Sequence, residues 1–142
     1  MYRAPVGAGV EMKPVRITLD PADASALQRA SLAGLDPART FNARLANISG
    51  GGMGLAVVVD KSLERVFEID TDITVHAELP TLDKPIDLKA RVLHTEKLQI
   101  GDIYLGVAFM FEDPAEQKLI EDQLQRLSAW LQRQMLKKDS QL

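Results

Sequence analysis

Apolar residues recur at every second position through most of the chain up to Phe111. Val15, Ile17 and Leu19 alternate with Arg16 and Thr18, the period of a strand with one buried face, which predicts a strand within 10–19. Phe41, Ala43 and Leu45 alternate with Asn42, Arg44 and Ala46 in a second. The apolar, β-branched run 56–59 reads as another. Ile73, Val75, Ala77 and Leu79 share one face of 73–79, and Ile86, Leu88, Ala90 and Val92 share one face of 86–96; Pro80 and Pro85 separate the two segments. A last strand is predicted over 103–111, with Leu105, Val107, Phe109 and Phe111 opposite Gly106 and Ala108. The glycine cluster at 50–54 reads as an interruption between strands.

Two segments have a different period. Asp20 and Pro21, with Asp23 in the first turn, combine a capping carboxylate, a proline at the first helical position and acid near the positive helix end. They predict a short helix holding Leu27, Ala30 and Leu32 and stopping near 34–37, an insertion between the first strands. Asp113-Pro114 with Glu116 repeats the signature, and Ile120, Leu124, Leu127, Leu131 and Met135 follow at spacings of four and three. A long helix over 114–138 would extend roughly 36 Å. Parallel strands would need helices between them, so the order of elements predicts a mainly β fold, a small antiparallel barrel, closed or nearly so, with a long C-terminal helix as lid. The expected organisation is a single domain over 1–142, with an N-terminal arm at 1–9, the barrel at 10–111 and the helix at 114–138. The first half of the helix stripe should pack on its own barrel. Beyond Leu127 two readings stand: continued packing, or pairing of Trp130, Leu131, Met135 and Leu136 with the same helix of a second copy in a homodimer.

Composition narrows the function. With 142 residues, 46% of them hydrophobic, the chain can bury a core without disulfides or metals. Its 17 Lys+Arg against 20 Asp+Glu give a net charge of -3, so nothing sequence-wide attracts nucleic acid or an anionic membrane, and any bound anion must be held locally. The absence of cysteine excludes disulfides and thiolate metal sites. No run approaches the roughly 20 apolar residues of a membrane helix, and Met-Tyr-Arg-Ala-Pro lacks the apolar region of a signal peptide, so a cytoplasmic location is expected. His76 and His94 fall on different strands with no Cys and no HExxH, and no metal site is expected. The glycine cluster lacks the Lys-Ser or Lys-Thr of a phosphate loop, and Leu55 stands where a dinucleotide fingerprint needs glycine. Ser49 has no base near it in sequence, so no catalytic residue and no enzyme activity are expected.

The informative stretch is Asn47-x-Ser49-x-x-Gly52, where one strand gives way to the next. An asparagine offers an acceptor and two donors in one plane, and a serine hydroxyl donates and accepts, so the pair can match a purine's polar edge. Glycines 51, 52 and 54 let backbone N–H groups approach a ligand. Asn, Ser and Gly are also common turn residues, and a plain hairpin turn accounts for the same stretch.

The run Asn47-Ile48-Ser49-Gly50-Gly51-Gly52-Met53 resembles the (D/N)-x-S-x-x-G signature of PilZ domains, and Tyr104-Leu105-Gly106-Val107-Ala108-Phe109 resembles that family's glycine-containing final strand. Arg91-Val92-Leu93-His94 is similar to the strand before it. The resemblance spans about 10–111 and the helix beyond. It implies a receptor or adaptor for the bacterial second messenger cyclic di-GMP, with no cofactor and an unidentified protein partner. Asn47, Ser49 and Gly52 would meet a guanine edge, with Gly51 and Gly54 beside them in the nucleotide-binding set. The family's R-x-x-x-R arm supplies guanidinium groups for phosphates and guanine faces. Tyr2-Arg3-Ala4-Pro5 resembles the end of that arm in flagellar-brake-like members, so Arg3 would match its second arginine, with the first before Met1. The alternative is a PilZ-like module for protein interaction or dimerisation without nucleotide.

Overall fold

The structure, a computed structural model, describes residues 4–5, 12–58, 66–98 and 102–140, without the side chains of 4, 5 and 137–140. The described strands are β1 (Ala4–Pro5), β2 (Val15–Leu19), β3 (Phe41–Ile48), β4 (Gly52–Val58), β5 (Asp72–Ala77), β6 (Ile86–Lys97) and β7 (Asp102–Met110). The helices are α1 (Ala24–Leu32) and α2 (Pro114–Ser140). All pairings are antiparallel, in the order β3-β2-β5-β6-β7-β4, and β4 pairs back onto β3 to close the barrel. The expected small β-barrel with a terminal helix is therefore the observed fold. Its inside is filled by the alternating residues read from the sequence, among them Ile17, Leu45, Leu55, Ile73, Leu88 and Leu105.

Two β-bulges depart from the simple alternation. In β3, Leu45 pairs with Leu55 and Asn47 with Gly54, leaving Ala46 as the extra residue. In β6, Val92 pairs with Val107 and His94 with Gly106, leaving Leu93 extra. Each insertion reverses the face of everything after it. A further departure concerns the glycine cluster: β4 begins at Gly52, so Gly52 and Gly54 lie in the strand, and the break is confined to 49–51. A Cβ at Gly52 would meet the Val107 carbonyl oxygen at 2.1 Å. Here glycine permits two strands to touch rather than separating them.

The short helix starts later than expected. Asp20 is buried and accepts the Ala22 N–H (2.9 Å) in a turn, while the N-cap is Asp23, whose Oδ1 accepts the Ala26 N–H (3.1 Å) and whose Oδ2 accepts the Asp72 N–H (2.9 Å). The far end closes as a Schellman motif: Leu35 N–H bonds Ala30 C=O, Gly34 N–H bonds Ser31 C=O, and Gly34 takes φ 79°. Leu32 is exposed; Ala26 and Ala30 form the buried face. Arg29 ties the helix down through Thr71 Oγ1 (2.8 Å) and the Val66 carbonyl (3.3 Å).

The long helix lies across the opposite barrel end. Asp113 Oδ1 accepts the Ala115 N–H at its start, and Leu124, Leu127 and Leu131 are buried in the core. Leu131 is 1% exposed, so the packed stripe runs a turn beyond Leu127, and Trp130 also packs against the core; Leu136 remains 62% exposed. Among the described residues no helix is long and apolar enough to cross a membrane.

Burial tends to raise the Asp23 carboxyl, but the N–H groups of Asp72 and Ala26, with Arg29 and Arg91 nearby, outweigh it and hold the group below its usual value. Its stabilisation is therefore complete above the unfolded value, near pH 4, and is lost as pH falls through the lower folded value. Asp23→Ala should lower unfolding stability by about 1–3 kcal/mol at pH 7 in urea titrations, and the gap to the unaltered chain should close on acidification.

Candidate nucleotide-binding face

The two bulges matter because of which side chains they turn outward. By strict alternation with Phe41, Ala43 and Leu45, Asn47 would point into the barrel; the extra Ala46 turns it out. His94 would likewise follow Val92 inward, and Leu93 turns it out. The registers Asn47↔Gly54, Gly54↔Gly106 and Gly106↔His94 then set these four residues in one row across β3, β4, β7 and β6 on the outer wall. The two middle positions have no side chain, so the row is a trough with a polar group at each end.

Tyr104, one outward position along β7 from Gly106, leans into this trough. Its hydroxyl accepts a hydrogen bond from Asn47 Nδ2 at 2.9 Å. A Cβ at residue 54 would lie 2.2 Å from that hydroxyl and 2.6 Å from Asn47 Nδ2, so Gly54 makes the contact sterically feasible. The His94 ring meets the Tyr104 ring edge-on, with centroids 6.1 Å apart, and His94 Nε2 is 3.8 Å from Glu96 Oε2. The other half of the Asn47 amide, Oδ1, is buried and has no hydrogen-bond partner among the described residues.

The remaining signature residues face the turn. Ser49 is 4% exposed; its N–H bonds the Gly52 carbonyl at 2.9 Å and its hydroxyl lies 3.4 Å from the same oxygen. Gly51 C=O accepts the Phe109 N–H (3.0 Å), locking the turn to β7. Gly50 lies under α2, where a Cβ would meet Gln125 at 3.1 Å, and Ser128 Oγ donates to the Ile48 carbonyl (3.1 Å). On the other side of the motif, β1 pairs with β3 through Ala4↔Ile48 and Pro5↔Asn47. β1 takes the stretch of β3 edge beyond the last β2 partner, Ala43, and Pro5, which has no N–H, suits such an edge. Arg3 lies outside the described residues.

Of the residues singled out in the sequence, Asn47 and Gly54 meet on the outer wall, whereas Ser49, Gly51 and Gly52 brace the turn. In the sequence Tyr104 and His94 stand out only as members of the last two strands, and His94 as a residue for which no metal role is expected; neither reads as a binding residue. The available signal was an aromatic residue on the same face as Gly106 and Ala108, where small neighbours leave room for a ring to lie across. A recess of about 380 Å³ adjoins the face, lined in part by Arg44, Ala56, Val58 and Asp102. A groove of about 820 Å³ between the 81–88 segment and α2 shares no residue with the motif.

A small six-stranded barrel carrying this turn, closed by a terminal helix, defines a known class of domain. The model of the PilZ domain matches residues 15–130, and the chain belongs to that family. No curated protein matches the sequence. Among solved structures, the PilZ domain with c-di-GMP of YcgR from Escherichia coli is similar with a TM-score of 0.65 and 17% identity, over 99% of this chain and 96% of that one. YcgR from Escherichia coli in complex with c-di-GMP gives 0.57 and 18%, and the Bacillus subtilis inhibitor of motility MotI/DgrA gives 0.53 and 16%. These cover 99% and 97% of this chain but 48% and 52% of those chains, so it spans about half their length. At such identities the likeness is one of fold.

The two strand glycines should respond differently to a methyl group. Gly52→Ala collides with backbone and should destabilise by about 3 kcal/mol whatever accompanies it. Gly54→Ala collides with the Tyr104 ring and with Asn47 Nδ2, both side chains, and combining it with Tyr104→Ala, which also frees the Asn47 amide to move aside, should restore part of the lost thermal stability.

Proposed function

We propose that this PilZ domain is a receptor or adaptor for cyclic di-GMP, bound on the outer wall around Asn47, with residues 1–9 as an arm that closes on the nucleotide. The observation that carries the reading is the β1–β3 pairing: the chain directly after Arg3 runs against Asn47 and Ile48, the start of the signature. Arg3 immediately precedes that strand in sequence, and its planar, permanently charged fork suits phosphate oxygens and guanine faces. The YcgR structures that contain c-di-GMP share the fold, which supports the same class of ligand here. In this reading Asn47 meets the base, Gly54 keeps the wall open, and Ser49, Gly51 and Gly52 hold the turn in shape. Ligand binding against this arm would alter what the domain presents to a protein partner. The reading involves neither catalysis nor a cofactor.

A second reading rests on the burial of Ser49 and the cover that α2 provides over Gly50. If the signature serves only to seat the helix, the domain is a protein-interaction module without nucleotide.

Calorimetric titration with cyclic di-GMP separates them. The receptor reading expects saturable binding, weakened roughly 10- to 100-fold by Arg3→Ala through loss of a charge-assisted contact, and weakened also by Asn47→Ala. Absence of binding by the unaltered, folded chain would leave the interaction module.

A further inference from the structure

One face of α2 takes no part in the Asn47 turn and has its own chemistry. Glu116, Leu119, Gln123, Arg126, Trp130 and Arg133 follow one another at alternating spacings of three and four, the heptad period that sets side chains in one seam along a helix. All six line the groove of about 820 Å³ between α2 and the 81–88 segment. We propose that this groove receives the same helix of a second copy of the chain, running antiparallel, in a two-fold symmetric dimer.

The order of groups along the seam selects this partner. A two-fold axis pairs residue i of one copy with j of the other, and j with i. Laid antiparallel about the middle of the seam, Glu116 meets the partner's Arg133, Leu119 meets the partner's Trp130, and Gln123 meets the partner's Arg126. Acid then meets base at both ends, the two large apolar side chains cover each other, and an amide oxygen lies beside a guanidinium that can donate to it. A parallel pairing would instead oppose Glu116 to itself, Arg126 to itself and Arg133 to itself. Those like-charge contacts are repulsive, so the seam specifies an orientation as well as a partner.

Within one copy these groups are unmatched. Leu119 is 59% exposed, and Trp130 packs against the core while also lining the groove. Among the described residues Glu116, Arg126 and Arg133 take part in no ion pair. The facing wall adds Asp83, Lys84 and Asp87, so the lining holds three carboxylates and three cations. An acidic peptide would leave the carboxylates unmatched, and a basic one the arginines; a second copy brings both signs in equal number. Leu131 is packed into its own core, so the seam lies to one side of a stripe through Leu131 and Leu136. A contact over 116–133 is about 26 Å long, small for an interface, so the dimer should dissociate in the micromolar range. The groove shares no residue with the Asn47 motif, and the pairing does not depend on the receptor reading.

The test is sedimentation velocity over a concentration series, read together with the emission of Trp130, the one tryptophan of the chain. The unaltered chain should pass from monomer to dimer across the micromolar range, and its emission should shift to the red on dilution. Glu116→Arg and Arg133→Glu should each weaken the dimer at least about 10-fold, since either sets like charges together at both ends. An equimolar mixture of the two variants should dimerise about as well as the unaltered chain, and so should the chain carrying both changes, because acid again meets base. The chain has no cysteine, so added ones report the orientation: under oxidation Glu116→Cys should cross-link with Arg133→Cys and neither with itself. A chain still monomeric at about 1 mM would overturn the proposal. So would a dimer indifferent to both single reversals, one restored by neither the mixture nor the doubly altered chain, or cross-linking of either cysteine variant to itself.

Discussion

The closing contact of the barrel is a backbone-to-backbone approach that only glycine allows. Residue 52 lies so near the Val107 carbonyl that a single methyl group would sit 2.1 Å from it. β4 therefore joins β7 along its whole length, from Gly52↔Ala108 to Val58↔Asp102, while its other edge pairs with β3. With both edges of β4 paired, the sheet has no open seam there, and the stretch of β3 beyond the β2 pairing is occupied by β1. The interior leucines, isoleucines and valines then have a closed wall to pack within.

That closure also determines what the signature turn can do. Its inner side is a structural joint: Gly51 C=O is tied to β7, Gly50 lies against Gln125 of α2, and Ser128 holds the Ile48 carbonyl. Its outer side is the wall where Asn47 and Gly54 stand beside Tyr104. One short run of sequence thus serves two surfaces. Because β1 pairs with Ile48, whose carbonyl accepts from Ser128 of α2, the candidate face and the terminal helix meet at a single junction. That helix buries Leu124, Leu127 and Leu131 in the core.

The glycines of the cluster illustrate why local reading falls short. In sequence they resemble a flexible break. Among the described glycines only Gly34 adopts a left-handed φ; those at 52 and 54 are needed because strand and tyrosine respectively come too close for a Cβ, and the one at 50 sits against Gln125 of the helix. Their reason lies in residues 107 and 104, fifty or more positions away.

What the sequence by itself determined is the six barrel strands and two helices, most of their inward faces and the barrel class, because burial of one face imposes a period of two or 3.6 on the residues that form it. It also marked Asn47 and its glycines as unusual. Only the tertiary structure decided that Asn47 and His94 face outward in one row and that Tyr104 reaches across to the amide. A bulge is a mismatch between two paired strands, and neither strand contains it alone; the direction of every side chain beyond it follows from a partner that the local pattern cannot name.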